Sequence, residues 1–209
     1  KKIPATSPDV LGIAISSPGA VNVEKRQIDG ISAVPYLHHR PIFDEFEQAF
    51  SLPVTIENDA NCAGICEMEI GAGKNVQQAV FMVIGSGVGG AIFINGDIYK
   101  GAHLFGGEFG LMKNTNNKIL SINGTAVHVA ERFSEETGKQ VSGIDLFELK
   151  EQGDKKATAA LETMYEHIAQ ILYNIQVSID PEMIILGGGI SARAELATEL
   201  SQRLARLLD

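Results

Sequence analysis

The sequence predicts an α/β fold built on two sheets. Three observations carry the prediction: a strand, helix, strand rhythm in the first third of the chain, short apolar runs that each end in a glycine-rich or polar break, and a long amphipathic helical stretch followed by one more apolar run. With 209 residues, 44% of them hydrophobic and 21% charged, the chain has the material for one large core or two modest ones.

Residues 9–16 are a nearly continuous apolar run that ends at Ser16, Ser17, Pro18 and Gly19, which reads as a buried strand leaving its sheet through a turn. Between Pro41 and Phe50, the side chains of Ile42, Phe43, Phe46 and Phe50 fall at helical spacing, and residues 52–56 resume a strand that stops at Glu57, Asn58 and Asp59. A helix is expected from Ala60 to about Ile70, broken by Gly71 and Gly73. That break is the expected boundary between a first domain, 1–73, and a second, 74–209.

The second sheet begins with the apolar run 79–84. Residues 90–94 and 97–99 follow as a hairpin joined by Asn95 and Gly96, a pair that readily supplies the two positive φ angles of a type I′ turn. Residues 125–137 and 156–179 read as helices, the second with an apolar stripe through Ala157, Leu161, Met164, Ile168, Ile171, Leu172 and Ile175. Residues 183–186 form the last strand, which runs into Gly187, Gly188 and Gly189 ahead of a helix from about Ala192.

The formal net charge is −9, and no cluster of Lys and Arg interrupts it, so no basic face exists for a phosphate backbone and a nucleic-acid partner is not expected. No apolar run reaches the roughly 18 to 20 residues of a membrane span, and Lys1-Lys2 does not open a secretion signal, so a cytoplasmic protein is expected. Cys62 and Cys66 lie one helical turn apart and read as two small buried side chains in a reducing compartment rather than as a disulfide or a metal site.

Four segments have the residue types that chemistry needs. Gly85, Ser86, Gly87, Gly89 and Gly90 lie between two strands, where bare backbone N–H groups suit an anion and where a tight structural turn is an equal alternative. Glu57, Asn58, Asp59 and Asn61 sit at the end of a strand and the start of a helix. There Asn58 or Asp59 serves either as a helix cap or, as Asp59 could, as the carboxylate that accepts a hydroxyl proton during phosphoryl transfer. Glu108, among Gly106, Gly107 and Gly110, is either solvated or stands on a tight loop facing a small polar ligand. The Gly187 to Gly189 run is either a strand-to-helix connection or a bare backbone against which a nucleotide lies.

Taken in order, Ser17-Pro18-Gly19, the Glu57 to Asn61 segment, Gly85 to Gly90, Gly106 to Gly110 and Leu186 to Ile190 resemble the ROK family of bacterial sugar kinases and repressors, over about residues 9 to 206. The resemblance implies the actin-like ATPase fold, of the ribonuclease H-like class, with two domains around a cleft, both incomplete at the chain ends. It implies Asp59 as catalytic base; Asn58, Glu108, Gly19 and Gly30 with the segment after it at the sugar; Gly85, Ser86, Gly87 and Gly89 at the phosphates; and Gly187, Gly188 and Gly189 at the adenosine. ATP and Mg²⁺ are the implied cofactors, a small-molecule sugar the partner, and a homodimer the assembly.

Two departures from the family pattern stand out. Leu111 occupies the position of a histidine that, with a later cysteine cluster, holds zinc in common members; no cysteine follows Cys66, so no zinc is expected. This variant resembles the zinc-free branch that includes β-glucoside kinases. The family's Asp-Ile-Gly-Gly-Thr strand is not found before Asp9, and the closing helix is not found either, so the sequence reads as an excerpt of a longer polypeptide. The alternative reading is a sugar-sensing ROK-type repressor whose DNA-binding segment lies outside this sequence.

Overall fold

In the computed structural model, the described residues are 10–209 except Ile31, Ala33, Thr115 and Ala194. Asp9, where the first strand was expected to begin, and part of the segment after Gly30 therefore lie outside them. Strand β1 (Ile13–Ser17) pairs in parallel with β4 (Val54–Asn58), and between them come a short hairpin, β2 (Ala20–Asn22) and β3 (Gln27–Asp29), and helix α1 (Ile42–Phe50). Val21, Ile28, Ile42, Phe43, Val54 and Ile56 form the core of this part. The first strand starts at Ile13 rather than at residue 9, and alternate residues along it are exposed, because among the described residues it has a sheet neighbour on one edge only. Phe50, expected on the apolar stripe, is exposed at the end of α1, and the chain leaves the helix at Ser51 in a left-handed conformation.

Helix α2 (Asp59–Ile70) follows β4 without a connecting loop. The second sheet has the order β7 (Asp97–Ile98), β6 (Val88–Ile94), β5 (Ala79–Ile84), β8 (Met183–Gly187), antiparallel except for the parallel pair of β5 and β8. The central strand is buried along nearly its whole length because both faces of the sheet are covered. On one face Val80, Met82 and Ile84 meet α4 (Ala126–Thr137), α5 (Gly143–Glu151), α6 (Lys155–Ile179) and α7 (Glu195–Leu208), while the short α3 (Leu120–Asn123) adds Leu120 to the same core. On the other face Phe81, Ala91 and Phe93 pack against Ala63 and Met68 of α2.

Asn95 and Gly96 both have positive φ, 56° and 81°, as the hairpin required. The α5 helix and the β2–β3 hairpin were not foreseen; α5 carries a capping box from Ser142 and Asp145 that signals its start. Cys62 is half-buried and Cys66 exposed, against the expectation that both are buried. The face α2 turns inward is made instead by Ala60, Asn61 and Gly64.

Gly64 permits that packing. A Cβ there would lie 3.0 Å from Ala91 Cβ and 3.1 Å from the Phe93 ring, so the helix backbone lies directly on β6. Gly64→Leu is expected to lower stability by about 1–3 kcal/mol through overpacking, read as a lower urea midpoint, and to reduce activity further because α2 carries Asp59 at its first turn.

Candidate active site

A cleft of about 880 Å³ is lined by residues from both the first and the second part of the chain, including Gly19, Asp29, Gly30, Asn58, Asp59, Gly85, Ser86, Gly87, Phe105 and Glu108. Nearly every segment singled out in the sequence meets here. Gly187, Gly188 and Gly189 do not line it; Gly187 ends β8, paired with Val83 two residues before the glycine turn begins at Gly85, and Gly188 and Gly189 follow the strand.

The corner between β4 and α2 is fixed by Asn58. Its Oδ1 accepts from the backbone N–H groups of Ala60, at 2.9 Å, and Asn61, at 3.1 Å, capping the helix. Its Nδ2 donates to the Gly19 carbonyl across the sheet at 3.1 Å. One N–H of the amide is then left to donate to a ligand. Capping and ligand binding, set out in the sequence as alternatives, are compatible through the two ends of one side chain.

Asp59 is the first residue of α2 and is exposed to the cleft. Its Oδ1 accepts from the N–H of Ala60 at 2.9 Å, which orients the carboxylate and leaves Oδ2 open. Glu57 braces the same corner: Oε1 accepts from the Asn58 N–H and from Asn61 Nδ2, and Oε2 pairs with Lys100. Lys100 had no place in the sequence reading. The signal available was a lone basic residue directly after the second hairpin strand, in a chain of net charge −9.

Glu108 stands half-buried between the buried Gly107 and Phe109. Burial pushes its pKa up, and the neighbouring Asp59 carboxylate pushes it further in the same direction; no hydrogen-bond donor among the described residues offsets either effect. Two carboxylates therefore converge on one cleft, a surplus of acceptors for a ligand rich in hydroxyl donors.

The glycines divide by what surrounds them. Gly19 has φ of 97° and no room for a Cβ beside Ile28, and Gly90 would drive a Cβ into the Phe109 ring, so both are required by the fold. Gly187 abuts the Phe81 ring and Gly188 has φ of 90°, which accounts for the strand-to-helix connection. Gly85 and Gly189 face open space, and Gly87 has only the Ser121 hydroxyl within reach, at 3.7 Å. Gly30 combines φ of 80° with a place on the cleft wall. The bare turn is shorter than expected, Gly85 to Gly87, since Val88, Gly89 and Gly90 belong to β6. Ser121 holds its far end by accepting the Val88 N–H at 3.0 Å.

No group of three or more His, Cys, Asp and Glu side chains disposed to hold a metal occurs among the described residues. Nor is any helix among them long and apolar enough to cross a membrane.

The ROK family model matches residues 1–209. A β-glucoside kinase of Listeria innocua is 32% identical over 211 residues, a match that spans 96% of this chain and 72% of the relative. A solved structure from Listeria monocytogenes, proposed to be an N-acetylmannosamine kinase, superposes with a TM-score of 0.88 at 31% identity, covering 95% of this chain and 72% of that one. A ROK family protein from Streptococcus pneumoniae in complex with sucrose superposes at 0.85 with 36% identity, covering 95% of this chain and 70% of that one.

Removing the buried charge of Glu108 tests the electrostatics of the cleft. A carboxyl whose folded pKa is raised penalises the native state once pH rises past its unfolded value, and the penalty is complete above the folded value. Glu108→Gln is therefore expected to raise the melting temperature at pH 7 to 8. The gain should vanish at a pH low enough to protonate the glutamate in both states.

Proposed function

The chain belongs to the ROK family and has its actin-like ATPase fold, and from that premise we propose that it is an ATP-dependent carbohydrate kinase in which Asp59 is the general base. The acceptor is a hexose or a β-glucoside, in line with the β-glucoside kinase and sucrose-bound relatives. The observation that carries the reading is the convergence of Asp59, Asn58 and Glu108 with a bare glycine turn on one cleft.

Glu108 and the free N–H of Asn58 hydrogen-bond the sugar, with the backbone at Gly19 and Gly30 on the cleft wall beside it. Asp59 Oδ2, unused by the protein, accepts the proton of the hydroxyl as its oxygen attacks the γ-phosphorus of ATP and ADP leaves. The N–H groups of Ser86 and Gly87, with no side chain on Gly85 or Gly87 in the way, face the phosphates. Gly189, open on its Cα side, leaves room for the adenosine beside Gly187 and Gly188. Magnesium, when bound, would neutralise charge on the transferring phosphoryl group.

Asp59→Asn keeps the acceptor that orients the side chain and removes the base. Turnover is expected to fall about 10²- to 10⁴-fold, while sugar affinity by titration calorimetry stays close to that of the parent. Near-normal turnover would remove Asp59 from the mechanism, and sugar binding with no turnover by the parent protein would replace the kinase with a sugar sensor.

The pH profile follows from Glu108. It is the stronger acceptor for a sugar hydroxyl when ionised, and its pKa is raised by burial and by Asp59. The value of kcat/KM should therefore rise with pH through a range above that of an ordinary glutamate, and this acid limb should move to lower pH in Glu108→Gln.

A further inference from the structure

We propose that Leu104, Phe105 and Leu111 form a subsite for a second ring joined to the phosphorylated sugar, which makes the chain selective for glycosides over free hexoses. The inference rests on the sugar-kinase reading and adds the residues that would set its acceptor range.

Phe105 is 69% exposed and Leu111 52% exposed, yet both line the cleft that holds Asp59 and Glu108. A hexose held by its hydroxyl groups at Asn58 and Glu108 has no second ring to lay against an apolar wall beyond them. A glycoside carries a second ring whose apolar face such a wall would cover.

The platform is built rather than loose. Its segment is closed at the base by the Gly106 N–H donating to the Lys100 carbonyl at 2.8 Å, and again by the Glu108 N–H donating to the Phe105 carbonyl at 3.2 Å. Gly106 and Gly107 are pressed so closely on Tyr99 and Gly90 that a Cβ at either would lie 2.5 Å from a carbonyl oxygen. Lys100 is tied to Glu57 in turn. Leu104 adopts φ of 62°, a left-handed conformation that a leucine rarely takes and that turns the chain just before Phe105. Phe109, four residues on, is buried in the main core. Of two phenylalanines flanking Glu108, one anchors the loop and the other is presented to the cleft.

Leu104 places one end of the platform on the sugar side of the cleft. Leu104 also lines a smaller pocket with Asn58, Asn61, Lys100 and Glu108, and that pocket includes none of Gly85, Ser86 or Gly87. A second ring attached to a sugar held by Asn58 and Glu108 would meet Leu104 there, with Phe105 next to it in the chain and on the wall of the larger cleft.

The test compares phenyl β-glucoside with glucose as acceptors for the full chain and for Phe105→Ala and Phe105→Leu, with ATP and Mg²⁺. In Phe105→Ala the ratio of kcat/KM for phenyl β-glucoside over glucose should fall about tenfold or more, chiefly through KM for the glycoside, a size typical of a lost apolar contact. Phe105→Leu should recover part of the ratio, which also shows that the loop still folds. An unchanged ratio, or a rise confined to KM for ATP, would overturn the proposal, the second by assigning the ring to the nucleotide. Calorimetric titration with phenyl β-glucoside separates the two readings: affinity that drops in Phe105→Ala without turnover in the parent sinks the kinase and keeps the subsite, whereas turnover with no change in affinity does the reverse.

Discussion

The side-chain amide of Asn58 is the joint on which the site depends. One end caps α2 and the other holds the turn that leaves β1, so the helix start, the Gly19 turn and the carboxylate of Asp59 move as one unit. An amide is suited to this because it offers an acceptor and a donor on a short, stiff stem, whereas a carboxylate would cap the helix but could not donate to Gly19. Glu57 extends the joint: through Asn61 it reaches the buried face of α2, and through Lys100 it reaches the loop that presents Glu108. Since α2 also lies on the second sheet through Gly64, Asp59 and Glu108 come from separate segments of the chain yet share one corner.

Much of this was legible in the sequence, and what was not has a common cause. The strands around the glycine turn, the Asn95-Gly96 hairpin and the long α6 stripe are written in local periodicity and turn chemistry, which act over a few residues. The polar corner at Glu57 to Asn61 could be read because strand end and helix start are adjacent in the chain. Ser121 and Phe105 could not, and Lys100 left no more than a lone basic residue as its trace, because each matters through a partner 33 or more residues away or through the wall of a cleft that exists only after folding. Burial of the cysteines was misjudged for the same reason: helical spacing shows that Cys62 and Cys66 share a face, but not that Ala60, Asn61 and Gly64 would be the face turned to β6.

The glycines show how a structure sharpens a motif. In sequence the three glycine runs, Gly85 to Gly90, Gly106 to Gly110 and Gly187 to Gly189, look alike, and a phosphate loop and a tight turn make the same demand for small residues. With neighbours in place they separate. Gly90, Gly106, Gly110 and Gly188 have no room for a methyl group, so packing suffices to explain them. Gly85 and Gly189 are free of contact and lack the positive φ that would call for glycine. A residue whose smallness the fold does not need is better evidence of a ligand than one whose smallness it does.

The same reasoning applies to charge. Stability alone would not set Glu108 half-buried beside Asp59 with no donor among the described residues to satisfy it, since burial and the neighbouring Asp59 carboxylate both disfavour ionisation of Glu108. Elsewhere the chain pairs such groups: Arg203, buried between α6 and α7, bridges Glu162, Glu166 and Glu199. The cleft is left without that compensation, and the donors it lacks are those that sugar hydroxyls would supply. The unpaired carboxylates, the bare glycines and the exposed phenyl ring are three separate costs in the free protein, and a single ligand with hydroxyl groups, a phosphate neighbour and an apolar second ring would relieve all three.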